Sequence, residues 1–329
     1  MTSDIIVKID DRVRLMSALL AATRYPELSQ QKKPHGTHAH ARATKKYLMP
    51  QSAHAAAATL QTLLDQNAPM EAIFALALVL RPPQYTVDKP PRWMPPAWND
   101  NLRDFESISQ LAGWWQSESA VWQNALEQAQ KMFANVTLKP FLKPFVGEIK
   151  ERFIFMPNIL YPTDQEIAFR LGSDLVAIVP PRLAWGDSPP WPFDEDPAHV
   201  YRAAIMAYGR LLMNSYLRAN QVKVNEIAQT PLPISDALKA AHPQWADQFT
   251  ALFVAGAVAI YLEDHVSHAE AKSYILMEKK VNGLDVLPGV VSVLRRYLTE
   301  REAGRYANLL EFLPVFPRQL RVARRIVTL

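Results

Sequence analysis

Hydrophobic positions recur at intervals of three and four through most of the chain, which predicts a mainly helical protein. The stretch around which the rest is organised is Tyr201–Leu217. There Ala204, Ala207 or Tyr208, Leu211, Leu212 and Ser215 or Tyr216 share one helical face, and Asp194–Pro197 supplies an acidic, proline-bearing start. Ahead of it, Ile5–Ile9 alternates as a short strand and Arg12–Ala22 gathers Val13, Met16, Leu19 and Leu20 on one face. Ala53–Leu64 and Met70–Leu80 form a helical hairpin about a turn at Asn67–Pro69. Leu102–Ala112 and Ala120–Ala134 are helical, with Trp114, Trp115 and Trp122 read as aromatic core in preference to a cofactor-stacking cluster. The texture then changes. Arg152–Tyr161, Glu166–Leu171 and Asp174–Val179 are short runs rich in Ile, Phe and Val, the strands of a small antiparallel sheet. Two stretches rich in proline and tryptophan, Arg81–Trp98 and Pro180–Pro197, suit neither helix nor central strand and serve as connectors; the proline pairs of the first also suit a polyproline ligand, but a loop packing its tryptophans onto the same chain is the preferred reading. Beyond the central helix come a short helix in Pro231–Lys239, a long apolar one over Pro243–Val266, two more at Val286–Tyr297 and Arg301–Phe312, and a basic tail, Pro314–Leu329.

Composition narrows this picture. The 329 residues are 49% hydrophobic and 21% charged, enough for a sizeable core. No apolar run reads as long enough to cross a bilayer, and charges interrupt the apolar part of MTSDIIVKIDDRV, so neither a membrane span nor a secretion signal is expected. The absence of cysteine excludes disulfides, thiolate catalysis and Cys-ligated metals, and suits a cytoplasmic location. Neither GxGxxG nor GxxxxGK[ST] occurs, and with 10 glycines against 26 prolines a phosphate cradle is not expected. A formal net charge of +4 is too small a surplus to imply a nucleic-acid partner.

Three polar clusters remain. His35, His38 and His40 stand among Lys32, Lys33, Arg42, Lys45 and Lys46; they have metal-ligand chemistry, but the cations oppose a bound dication, so a solvated basic loop or helix start is the expectation. Arg318, Arg321, Arg324 and Arg325 fall at helical spacing in the tail, a solvated helix face in preference to a surface for nucleic acid or an acidic partner. Glu263, Asp264, His265, His268 and Glu270 crowd into YLEDHVSHAEA. On a continuous helix Asp264 or His265 would share a face with His268 and offer two or three metal ligands; at a helix end they would simply meet solvent.

Several stretches follow one another in an order that carries more than any one of them: IDDRVRLMSALLAATRYPEL, then KKYLMPQSAHAAAATLQTLL with Pro50 and His54, then DLVAIVPP, then RYANLLEFLPVFPRQL with Tyr306, Phe312 and Pro314. Together they resemble a bacterial family of gluzincin-like metallopeptidases defined as a domain of unknown function. That family's signature, H-E-F-x-H-x-F-x-N-P, corresponds to MAYGRLLMNS, Met206–Ser215, where Tyr208 keeps the aromatic, Leu212 the apolar residue and Asn214 the Asn. The chemistry is not kept. Met206 stands for the first zinc ligand, Ala207 for the general base and Arg210 for the second ligand, while Glu263 resembles the third. A permanent cation about 4 Å from a dication costs on the order of 8 kcal/mol at an effective dielectric near 20.

The resemblance implies an α+β, mainly helical fold in which a small antiparallel sheet packs on a gluzincin/zincin-like helical core. It divides into a helical region, 1–148, and a zincin-like region, 149–329, with a degenerate active-site helix at 198–219. It further implies a pseudoenzyme without a cofactor, structural or binding a peptide or protein, with Tyr208, Asn214, Arg210 and Glu263 as binding candidates. In that reading Arg210 faces Glu263 as an ion pair in place of the metal. The alternative is a metal-dependent hydrolase with its site moved to Asp264, Glu263, His265 and His268.

Overall fold

The computed structural model describes residues 3–32, 37–160, 165–182 and 188–327, and is mainly helical with one small mixed sheet. In chain order, β1 (Ile5–Val7) leads into α1 (Asp11–Ala22), α2 (Tyr25–Lys32), α3 (Ala39–Leu48), α4 (Ala55–Asp65), α5 (Met70–Val79), α6 (Trp98–Ile108), α7 (Leu111–Ser117) and α8 (Ser119–Phe133). After α9 (Leu138–Val146) come β2 (Arg152–Pro157), β3 (Ile167–Leu171) and β4 (Asp174–Val179). The remainder is helical: α10 (Pro197–Ala219), α11 (Gln221–Ile227), α12 (Asp236–Ala241), α13 (Trp245–His265), α14 (His268–Asn282), α15 (Leu287–Glu302), α16 (Leu309–Phe312) and α17 (Phe316–Val327).

These elements form two compact units that interleave along the chain, one of residues 5–134 and 153–196, the other of 1–4, 135–152 and 197–329. The strands therefore belong with the N-terminal helices, whereas the sequence reading grouped them with 197–329. The cause is β1. It pairs in parallel with β2, Ile5 opposite Phe153 and Val7 opposite Phe155, so the strand order is β1-β2-β4-β3 and the sheet is mixed, not antiparallel. The β3–β4 hairpin is antiparallel as expected, running from Ile167 opposite Ile178 to Leu171 opposite Asp174 across the Gly172 turn, where φ is +58°. One face of the sheet, through Ile154, Met156, Ile167 and Ile178, shares a core with Leu19 and Leu20 of α1, Leu60 of α4 and Phe74 of α5. Burial of such side chains contributes roughly 1.5–3 kcal/mol each before entropy is counted.

In the second unit α13 is the axis, touching α10, α14 and α15. It is 21 residues long and apolar enough to cross a membrane by length and composition, which the sequence reading did not anticipate; most of that stretch is buried within the unit. Gly256 lets α15 approach: a Cβ there would stand 2.6 Å from Leu294 and 2.8 Å from Val290. Three further helices of this unit, α9, α11 and α14, were not foreseen. α9 contains Pro140 and Pro144, but Asp4 caps it from outside, its carboxylate accepting from the N–H groups of Leu138 (3.0 Å) and Lys139 (2.7 Å). α14 begins at a new N-cap, Ser267, whose hydroxyl accepts from Glu270 N. The helix expected over Arg301–Phe312 is instead the end of α15, a turn through Gly304 at φ +74°, and a restart at Asn308 that gives only α16.

Candidate functional site

The segment that matches a zinc signature lies in the middle of α10. Ala207 and Tyr208 are fully buried, and burial, reinforced by the charge of Asp4, drives the Tyr208 phenol well above its ordinary pKa. Met206 is half-buried, with its sulfur 3.3 Å from Arg202 Nη1, and Arg210 lies on the exposed side. Asn214 accepts a hydrogen bond from Thr250 Oγ1 at 2.9 Å, which makes it a helix-to-helix tie.

α10 and α13 run antiparallel, and three contacts fix their register. The Tyr201 and Tyr261 rings lie 5.5 Å apart, Phe253 and Val254 stand 3.8 Å from where a Gly209 Cβ would be, and Thr250 meets Asn214. Arg210 is therefore level with Leu252, and Glu263 with His199. About three helical turns, roughly 16 Å, separate the two along the helix axes. The expected Arg210–Glu263 ion pair is not formed. What faces α10 at the level of its motif is the apolar run Leu252, Phe253 and Val254. A zinc ion does not suit this set: a thioether and a permanent cation occupy the i and i+4 places, and Ala207 has no group to take a proton.

Glu263 has another partner. Arg295 Nη2 of α15 bonds Glu263 Oε2 and Asp264 Oδ1, each at 2.6 Å, and Glu263 Oε1 meets His268 Nδ1 at 2.9 Å. The His268 hydrogen bond and then that of Arg295 hold the Glu263 carboxyl below its usual range. The single continuous helical face expected for Asp264, His265 and His268 does not exist, because α13 ends at His265 with Val266 as its C-cap and α14 begins at His268 with Ser267 as its N-cap. His265 packs its ring on Tyr261, centroids 4.2 Å apart. A guanidinium thus sits between the carboxylates that the relocated-hydrolase reading assigned to a metal.

The other unit holds a cluster that the sequence reading placed in solvent. His38 and His40 are both buried; His35 lies outside the described residues. His38 is the N-cap of α3, its Nδ1 accepting from Ala41 N at 3.1 Å, and burial, with the charges of His40 and Arg42, lowers its pKa to about 3. His40 Nδ1 lies 3.2 Å from Glu118 Oε1. Beside them the Arg14 guanidinium is held between the rings of Trp115 (4.5 Å) and Trp122 (4.6 Å) and bonds Asp11 at 3.0 Å. Glu118 and Arg14 were not singled out from sequence. The available signal was the position of Arg14 between Val13 and the largely apolar run Leu15–Ala22, which puts a cation on a buried helix. In the tail, α17 confirms the helical spacing; Phe316 and Leu320 are buried and Arg321 donates to Pro231 O at 3.2 Å.

Compared with protein-family models, with curated proteins and with solved structures, the chain matches none of them.

Proposed function

We propose that this protein is a metallopeptidase-like chain without peptidase chemistry, whose role is structural or the binding of a peptide or protein. The observation that supports this best is the central helix itself. α10 carries Met206 and Arg210 where a hydrolase would carry its paired ligands, Ala207 where it would carry its base, and an apolar stretch of α13 at the same level. Glu263 no longer bears on the argument, since it belongs to the Arg295 network at the far end of α13. The lineage rests on the order of the resembling segments alone.

The test is elemental analysis of protein grown with zinc, purified without chelator and dialysed, alongside a casein digestion assay. Substoichiometric zinc and no digestion are expected. In the variant Met206→His/Arg210→His, which places two imidazoles one turn apart on the half-exposed side of α10, zinc affinity is expected to appear. Stoichiometric zinc in the unaltered protein, lost in Glu263→Gln or His268→Gln, would instead establish the hydrolase reading at the α13–α14 corner.

A further inference from the structure

Within the unit of residues 5–134 and 153–196, the C-terminus of α1, α2, α3 and α4 enclose an open groove of about 640 Å³ that continues into a second hollow of about 430 Å³. Ala21, Glu27, Arg42 and Lys45 line both, so the two are one trough. Its floor is made of small side chains, Ala21, Ala22, Ala57 and Ala58, which allow another backbone to come close. Its rim is cationic: Arg24, Arg42, Lys45 and Lys46 stand against a single carboxylate, Glu27. We infer that this trough is the docking site for an acidic amphipathic helix of a partner protein.

The spacing supports that occupant. Arg42, Lys45 and Lys46 follow one another at i, i+3 and i+4 on α3, and its C-cap Met49 continues them at i+7, so they form one stripe rising about 5.4 Å per turn. A helix lying beside α3 with carboxylates one turn apart meets that stripe in register, while its apolar face covers the alanines. Two of the pairs already present are weak competitors. Lys45 is bridged to Glu27 and Arg24 to Asp65 at 3.1 Å, but these side chains are 37 to 68% exposed, and surface pairs of this kind exchange partners at little cost. Burial without full compensation lowers the Lys45 ammonium, a group that an incoming carboxylate would favour. Lys46 is exposed and reaches the rim. This inference is independent of α10 and of its vanished chemistry.

The experiment is fluorescence anisotropy on the full chain with three labelled peptides: an amphipathic helix of Glu, Leu and Ala, its counterpart with Lys for every Glu, and a scrambled Glu peptide without an apolar face. The Glu helix is expected to bind, to weaken with added salt, and to bind about tenfold less tightly to Arg24→Glu/Lys46→Glu, a change of about 1.4 kcal/mol. Ala58→Trp, at an exposed floor position, is expected to block it while leaving the melting temperature unchanged. No binding, equal binding of the Lys or scrambled peptide, or indifference to Ala58→Trp would overturn the proposal. So would tighter binding of a duplex oligonucleotide or an anionic vesicle, lost in the same charge-reversed variant, because the rim would then serve a polyanion.

Discussion

Two clusters of the same residue types sit in opposite surroundings. At the α13–α14 corner, Glu263, Asp264, His268 and Arg295 form an ion network whose side chains are 34 to 79% exposed. At the start of α3, His38, His40, Glu118 and Arg14 lie among tryptophans, and the His40 and Glu118 side chains are 5% and 14% exposed. The corner has good geometry, with both carboxylates on one guanidinium. The buried cluster does not: Arg14 Nε and Nη2, His40 Nε2 and Glu118 Oε2 find no hydrogen-bond partner among the described residues. The difference teaches that bond geometry and consequence run in opposite directions here. Water can replace any partner at the corner, so its pairs contribute little to folding. In the buried cluster the surrounding protein sets the charge of His38, so its protonation is a folding event.

The largest expected effect follows from His38. Its imidazole is neutral in the folded protein because burial, His40 and Arg42 disfavour the cation, and protonating Nδ1 would also remove the cap on Ala41 N. The unfolded chain takes up the proton at about pH 6.5, the folded one only near 3. Stability is therefore intact above pH 6.5 and falls as the pH drops below it, by up to about 1.4 kcal/mol per unit. Urea denaturation across that range is expected to show this slope, and His38→Asn, which keeps a capping acceptor without a titrating ring, to flatten it. Superimposable profiles would mean that the ring is hydrated and that the contrast between the clusters is false.

Arg14 sharpens the comparison from the side of packing. Its guanidinium fills the space between two indoles, and burial lowers its pKa against the pull of Asp11. Arg14→Ala removes both the charge and the filling and is expected to cost about 2–4 kcal/mol. Arg14→Met restores the length without the charge and is expected to recover more than half of that in the same denaturation assay. If Met is no better than Ala, the cation itself holds the tryptophans together.

Much of this framework was legible from the chain. Periodicity located α1, the α4–α5 hairpin, α8, α10 and α13, because each buries a contiguous apolar face whose spacing is set locally. What was not legible depends on partners distant in sequence. Asp4 caps a proline-bearing helix more than 130 residues away, and Ile5–Val7 adds to a strand that starts at Arg152. Glu263 was matched to Arg210 through a resemblance, which carries order but not register. The register of α10 on α13 comes from Asn214, Gly209 and Tyr201, residues whose role in packing no local pattern announces. His38 and His40 were misplaced for a related reason: a basic surrounding sequence reads as solvent, but α3 turns its cations to the trough and its histidines inward.

The smallest expected effect is at the corner. Arg295→Gln removes the shared cation from Glu263 and Asp264, and at neutral pH a change below about 1 kcal/mol is expected by thermal or urea denaturation. Its pH dependence sets in at a lower pH than that of His38. The Glu263 carboxyl is held below its ordinary value of 4.5, so what it contributes is present above that pH and is lost as the pH falls through the lower folded value. The stability curves of the unaltered protein and Arg295→Gln should therefore run parallel from pH 6.5 down to about 4.5, where His38 alone of the two supplies a slope, and converge below it. A cost above about 2 kcal/mol would place the corner with the buried cluster, since only a desolvated pair loses that much when one partner is removed.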